Sequence, residues 1–278
     1  MLIRLGYDIS FETPIQVPIV ALLNVHESRT HNLLEPDILR TEPEVKIDSY
    51  IDSFGNYCSR FVAPPGVIRL YNSTLIQDSG ESDAEALYAE EIPVGELPTD
   101  ILQYLLASRY CEVDLLSDVA SDLFANAPHG WGRVKAVCDW VHSKVAFGYH
   151  FARSTKTALN VYTERTGVCR DFQHLAVTFC RALNIPARYV TGYLGDIGVP
   201  ASEAAMDFSA WFEAYLGGRW WTFDARHNCP RIGRVLMAVG RDAADVALTT
   251  SFGSARLKTF TVVTDEVKES SSNGTPGS

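Results

Sequence analysis

Cys169 is the residue whose type and setting first suggest chemistry. It follows Gly167-Val168 and opens a run in which Phe172, Leu175, Ala176, Phe179 and Leu183 recur at helical spacing. Its sulfur is therefore expected at a helix N-terminus. The thiolate is the nucleophilic form of cysteine, and the unpaired N–H groups and aligned dipoles of a helix start favour it. The backbone N–H of Cys169 is in turn a candidate oxyanion donor. A free cysteine packed as a small apolar side chain is the plainer alternative.

A second group of residues lies on a hairpin. Asp207 to Tyr215 alternates, Gly217-Gly218 follows, and Arg219 to Asp224 alternates again, which is a strong signal for a two-residue turn. In that register Leu216 faces Arg219, Trp211 faces Asp224, and Ser209 faces Arg226. Ser209 and Asp224 become diagonal neighbours roughly 7–8 Å apart, a spacing that suits a base at 209 oriented by the Asp224 carboxylate. Activating a thiol nucleophile needs a group that accepts a proton near neutral pH, and a serine hydroxyl does not. Three histidines are candidate substitutes. His227 lies three residues past Asp224, where a turn could swing it toward the site. His174, about 500° around the helix from Cys169, points away, and His150 precedes the nucleophile segment. Asp171 reads as a cap on the first turn of the Cys169 helix. Arg226 and Arg231 are either anchors for a substrate carboxylate or solvated loop residues, and Trp211, Trp220 and Trp221 either line a groove or pack.

Three segments in order resemble one family. Thr166-Gly167-Val168-Cys169-Arg170-Asp171-Phe172 and Ala182 to Tyr193 closely resemble the nucleophile helix and following strand of transglutaminase-like proteins. Ala210-Trp211-Phe212-Glu213-Ala214-Tyr215 and Trp220 to Arg226 resemble the strands that carry that family's His and Asp. The resemblance covers about residues 130 to 264, and the leading part is similar to the N-terminal region of bacterial members. It implies Cys169 as nucleophile, Asp224 as orienting carboxylate, and a papain-like core in which the cysteine helix packs on an antiparallel sheet. The implied reaction forms a thioester from a peptide or amide carbonyl and passes the acyl group to water or an amine, without metal or cofactor. Ser209 departs from the pattern, because the family has its histidine there. The resemblance therefore supports a protease, amidase or transglutaminase, with a catalytically impaired, peptide-binding pseudoenzyme as the alternative. The segment Gly240 to Val246 also resembles a loop of the bacterial members.

The elements that must position these residues read as an α+β protein. Residues 1–80 carry strand patterns over Ile3 to Phe11, Ile15 to Asn24, Val45 to Asp52, Tyr57 to Ala63 and Val67 to Leu75, punctuated by Ser53-Phe54-Gly55-Asn56 and Pro64-Pro65-Gly66. They predict a small β-sandwich. Residues 81–98 read as a linker, and 99–267 as the transglutaminase-like domain. That domain has helices over Thr99 to Ser108, Val113 to Asn126, Gly132 to Val145, Thr157 to Arg165 and from Cys169. Its strands are expected over Ala187 to Leu194, Phe208 to Leu216, Trp220 to Asp224, Val235 to Gly240 and Lys258 to Thr264. The Ser/Gly/Pro-rich residues 268–278 read as a disordered tail.

Composition narrows the partners. A net charge of −10 without a basic block argues against nucleic acid and anionic lipid; a protein or peptide substrate is what the resemblance implies. The six scattered cysteines show neither a CxxC pair nor a disulfide framework. The start of the chain lacks the pattern of a signal peptide, so a cytoplasmic location is expected. No acidic loop has calcium-ligand spacing.

Overall fold

A computed structural model describes residues 1–201 and 205–268, so the expected tail from 269 onward lies outside the described residues. The first part contributes β1 (Leu2–Thr13), β2 (Val17–Ala21), β3 (Arg40–Glu42), β4 (Asp48–Ile51), β5 (Tyr57–Ala63) and β6 (Gly66–Gln77). Then come α1 (Val113–Phe124), α2 (Trp131–Lys144), β7 (Ala146–Phe147), α3 (Ala158–Glu164), β8 (Thr166–Gly167) and α4 (Cys169–Ala182). Strands β9 (Ala187–Tyr193), β10 (Ser209–Leu216), β11 (Arg219–Phe223), β12 (Val235–Gly240), β13 (Thr249–Ser251) and β14 (Arg256–Glu266) complete the chain.

Alternation in β1 buries Ile3, Leu5, Tyr7 and Ile9 in a core shared with β2, β5 and β6. Two four-stranded antiparallel sheets result, ordered β14-β1-β6-β3 and β13-β2-β5-β4. The last described strand therefore belongs with the first: β14 pairs along β1 from Ile3↔Glu266 to Glu12↔Arg256, and β13 pairs with β2. The boundaries 1–80 and 99–267 do not divide the sheets. The reason is energetic, since β1 would otherwise offer a long row of unpaired N–H and C=O groups to solvent. Tyr193, Val235 and Met237 extend the same core toward the second half.

The second half packs α4 against a sheet ordered β11-β10-β9-β12. Phe172, Leu175, Ala176 and Phe179 of α4 share one apolar cluster with Phe212, Ala214 and Leu216 of β10 and with α1 and α2. The helix starts are as expected at 113 and 157, where the Thr157 side chain caps α3. The Thr99 to Ser108 helix does not form. Only the 3₁₀ turn Leu102–Leu105 appears there, and the buried residues Ile101 and Tyr104 are three apart, a spacing that suits three residues per turn. The β10–β11 hairpin has the expected register, Leu216↔Arg219 through Phe212↔Phe223. Gly217 and Gly218 both have positive φ, 57° and 88°, as this tight turn requires.

Residues 81–98, expected as a linker, pack closely on the second half. Ser82 bridges to Ile232, Ala86 and Ala89 are buried in the helical core, and Glu91 accepts hydrogen bonds from Gly130 N and Arg133. The closure of the first sheet by β14 has a direct consequence. Val262, 4% exposed, lies in the sandwich core, so Val262→Asp should cost at least ~2 kcal/mol by burying an unpaired carboxyl. Urea unfolding measures this, and an unchanged midpoint would contradict the pairing.

Candidate active site

The start of α4 is built by its neighbours in sequence. Val168 is the N-cap in extended conformation, and its N–H donates to Asp171 Oδ2 at 3.0 Å, the capping role expected for Asp171. A Cβ at Gly167 would lie 2.7 Å from Asp171 Cβ, so only glycine lets the chain pass its own cap. Cys169 is half-buried at this tip. Burial pushes its thiol up to about 11, Asp207 adds to the rise, and Arg226 and the Arg170 backbone N–H oppose it. The expected advantage of the helix start is outweighed by desolvation, so the resting sulfur is a thiol at neutral pH.

Asp224 departs from the projected register. The ladder stops at Phe212↔Phe223, and neither Trp211–Asp224 nor Ser209–Arg226 is paired. The chain turns away because Asp224 Oδ1 accepts from the backbone N–H groups of Arg226 and His227, at 2.9 and 3.1 Å. That turn brings His227 back, with Nδ1 2.8 Å from Asp224 Oδ2. Gln173 Nε2 donates to Asp224 Oδ1 at 3.0 Å, and Arg234 Nη2 donates to Oδ2 at 2.9 Å. Burial alone would raise the Asp224 carboxyl. The hydrogen bond from His227 and the adjacent Arg234 guanidinium outweigh it and hold the group well below the usual carboxylate range. Facing an ionised carboxylate, Nδ1 carries a proton, so in the neutral tautomer Nε2 is the nitrogen with the lone pair. Among the described residues Nε2 makes no hydrogen bond.

Two hollows meet at Cys169. A cavity of about 150 Å³ is lined by Cys169, Ser209, Asp207, Arg226, His227 and Arg231, among others. A larger groove of about 580 Å³ leads away on the other side of Cys169, past Tyr110, Tyr189, Ala243 and Val246. Ser209 lines both, and its buried Oγ has no hydrogen-bond partner among the described residues.

The sequence and fold resemble those of known proteins. The family model for the transglutaminase-like superfamily core matches residues 117–225. A candidate cysteine protease of known structure from Cytophaga hutchinsonii is 30% identical, superposes with a TM-score of 0.82, and is matched over 97% of this chain and 92% of its own. The chain belongs to the transglutaminase-like superfamily. An uncharacterized protein of Mycobacterium leprae is 25% identical over 82% of this chain and 84% of its own length.

Within this transglutaminase-like framework, the remaining candidates sort by what they touch. His174 is fully buried, stacks on Tyr110 with ring centroids 5.0 Å apart, and accepts from Ala243 N. Burial holds it well below its usual value, so its role is structural. His150 packs beside Phe151 and lines neither hollow. Trp211, Trp220 and Trp221 pack rather than line the hollows: Arg234 lies over Trp211, Arg188 over Trp220 and Arg219 over Trp221. The Gly240 to Val246 loop is clamped by Asp242, which accepts from Tyr110 N, and by the Arg241–Asp245 pair, and so forms a wall of the groove. No helix among the described residues is long and apolar enough to cross a membrane, and no group of described side chains has the makings of a metal site.

Several residues of the site were not anticipated. Gln173 also donates to Ala210 O and accepts from Ala225 N, tying α4 to β10 and to the Asp224 turn. Its signal was present: it is a polar residue one turn after Cys169 on a buried face. His142 bonds through Nδ1 to Arg226 O at 2.7 Å. Asp83, in the expected linker, accepts from Arg234 Nε at 2.8 Å and from Arg231 N at 2.9 Å. Because Arg234 compensates a buried carboxylate, Arg234→Ala should cost about 3–5 kcal/mol at pH 7. The sign with pH follows from the depressed Asp224 pKa. Its stabilisation is complete above the ordinary carboxylate range and is lost as pH falls below it, so the gap between wild type and variant should narrow only on acidification below that range, to about pH 3. Denaturant unfolding at the two pH values checks this.

Proposed function

We propose that this protein is a thiol acyl-transfer enzyme acting on peptide or amide carbonyls, with Cys169 as nucleophile and His227, oriented by Asp224, as its base. The observation that carries the reading is that Cys169 and an imidazole hydrogen-bonded to a buried carboxylate line one cavity. A base with its Nδ1 held by a carboxylate and its Nε2 open is the functional unit of cysteine and serine acyl transfer. The imidazole that the family places at 209 is replaced here by one arriving from the turn after β11.

Since the thiol is pushed up to about 11, the proton leaves as the sulfur attacks. The sulfur forms a bond to the carbonyl carbon while Nε2 of His227 takes the thiol proton. The Cys169 N–H at the start of α4 is positioned to steady the resulting oxyanion. The C–N bond then breaks, the leaving nitrogen receives the proton from His227, and a thioester remains. Water or an amine attacks the thioester, and the thiol is restored. A second reading, peptide binding without turnover, is favoured by Ser209 and by the raised thiol pKa.

Peptide hydrolysis and amine incorporation, followed by mass spectrometry, separate the two readings. Cys169→Ala should abolish product, and His227→Gln should lower the rate by about 10²–10⁴-fold. Turnover unaffected by His227→Gln would sink the base assignment, and none in wild type would favour binding alone. In a Cys229→Ser background, which removes the exposed thiol, alkylation of Cys169 should be slow at pH 7 and climb toward about pH 11. A thiol titrating near ~8.5 would contradict the burial account.

A further inference from the structure

The cavity that Cys169 shares with His227 carries two arginines in different states. Arg231 is engaged: Nη2 donates to Gly195 O at 2.9 Å and lies 3.8 Å from Asp196. Arg226 is not. Its guanidinium carbon sits 3.9 Å from the centroid of the Phe147 ring, and its carbonyl is fixed by His142. Among the described residues its guanidinium donates no hydrogen bond and has no carboxylate within ion-pair distance. Asp207 is the cavity carboxyl on which it acts, and burial pushes that group above its usual value despite the arginine. Asp196, Arg231, His227, Tyr149 and Cys169 are the other charged or titratable groups lining the space. An arginine held by ring stacking with its planar fork unspent is suited to bidentate recognition of a carboxylate.

We propose that Arg226 binds a carboxylate on the leaving-group side of the scissile amide, so that the preferred substrate is an acyl-amino acid or peptide ending in a free carboxylate next to the bond cut. The choice of side rests on the preceding reading, in which His227 protonates the leaving nitrogen. Arg226 and His227 line this cavity, and neither lines the groove beyond Cys169. Size agrees: about 150 Å³ holds about ten water-sized atoms, the scale of one amino-acid residue. In the reaction the C–N bond breaks and the terminal amino group takes its proton from His227. The amino acid leaves with its carboxylate, and the acyl portion stays on sulfur until water hydrolyses the thioester to an acid.

Binding tests this without turnover. Cys169→Ala protein is titrated calorimetrically with N-acetyl-trialanine and with its C-terminal carboxamide. The free acid should bind about tenfold or more tightly. Arg226→Gln on the same background should equalise the two, and Arg226→Lys should recover part of the difference, with thermal melts establishing that each variant is folded. Equal affinities, a preference that survives Arg226→Gln, or no binding of either peptide would overturn the proposal. The two readings fail separately. Thiol-dependent hydrolysis with no acid preference removes this one alone, whereas acid-selective binding without hydrolysis removes only the catalytic one.

Discussion

A carboxylate buried in the middle of the molecule sets the constraint on everything around it. Asp224 is 6% exposed and ionised, and a charge in that position is tolerable only when its lone pairs are filled. Five hydrogen bonds do so, from Gln173, the Arg226 and His227 backbones, the His227 ring and Arg234. Each donor comes from a piece of chain that must then stay where it is. Gln173 fixes α4, the two backbone donors fix the turn after β11, and Arg234 fixes the approach to β12. Asp83 in turn balances Arg234, so the strap from the first half is drawn into the same network.

Cys169 inherits its setting from that network. Gln173 is one turn from Cys169, so anchoring it to Asp224 also anchors the tip of α4. The turn that Asp224 caps delivers Arg226 and His227 to the cavity beside the sulfur. The cost is that the thiol is desolvated, and a helix N-terminus worth at most ~2 kcal/mol does not offset this. In the proposed reaction a desolvated thiol that keeps its proton at rest would need a base, and the turn brings the His227 imidazole to the same cavity. Ser209 lines both hollows that meet at Cys169, and its hydroxyl has no hydrogen-bond partner among the described residues.

Much of this was legible in the residues, for physical reasons. The periodicity of α4, the Gly217-Gly218 turn and the alternation of β1 and β5 are local patterns, and local patterns survive folding. The motifs around Cys169 and Asp224 led directly to the superfamily. What stayed hidden is non-local. Pairing of β14 with β1 joins residues more than 240 apart, and nothing in Arg256 to Glu266 names its partner. The hairpin register was right up to Phe223, but it could not reveal that Asp224 would trade its place in the ladder for the caps of its own turn. Gln173, Arg234 and Asp83 act only through the buried charge they serve, and a solvated polar residue would look the same in sequence. His227 was legible only as a histidine near a carboxylate, and its hydrogen bond to Asp224 depends on the turn geometry.

The central relation is between the Cys169 sulfur and the second nitrogen of the imidazole that Asp224 holds. A crystal structure of the protein treated with a peptide aldehyde, which captures a reactive thiol as a hemithioacetal, probes it directly. The proposed arrangement predicts the adduct on Cys169 with His227 Nε2 within about 3.2 Å of the sulfur or the adduct oxygen, and Nδ1 still on Asp224. An adduct with His227 turned away, or no adduct at Cys169 at all, would contradict it.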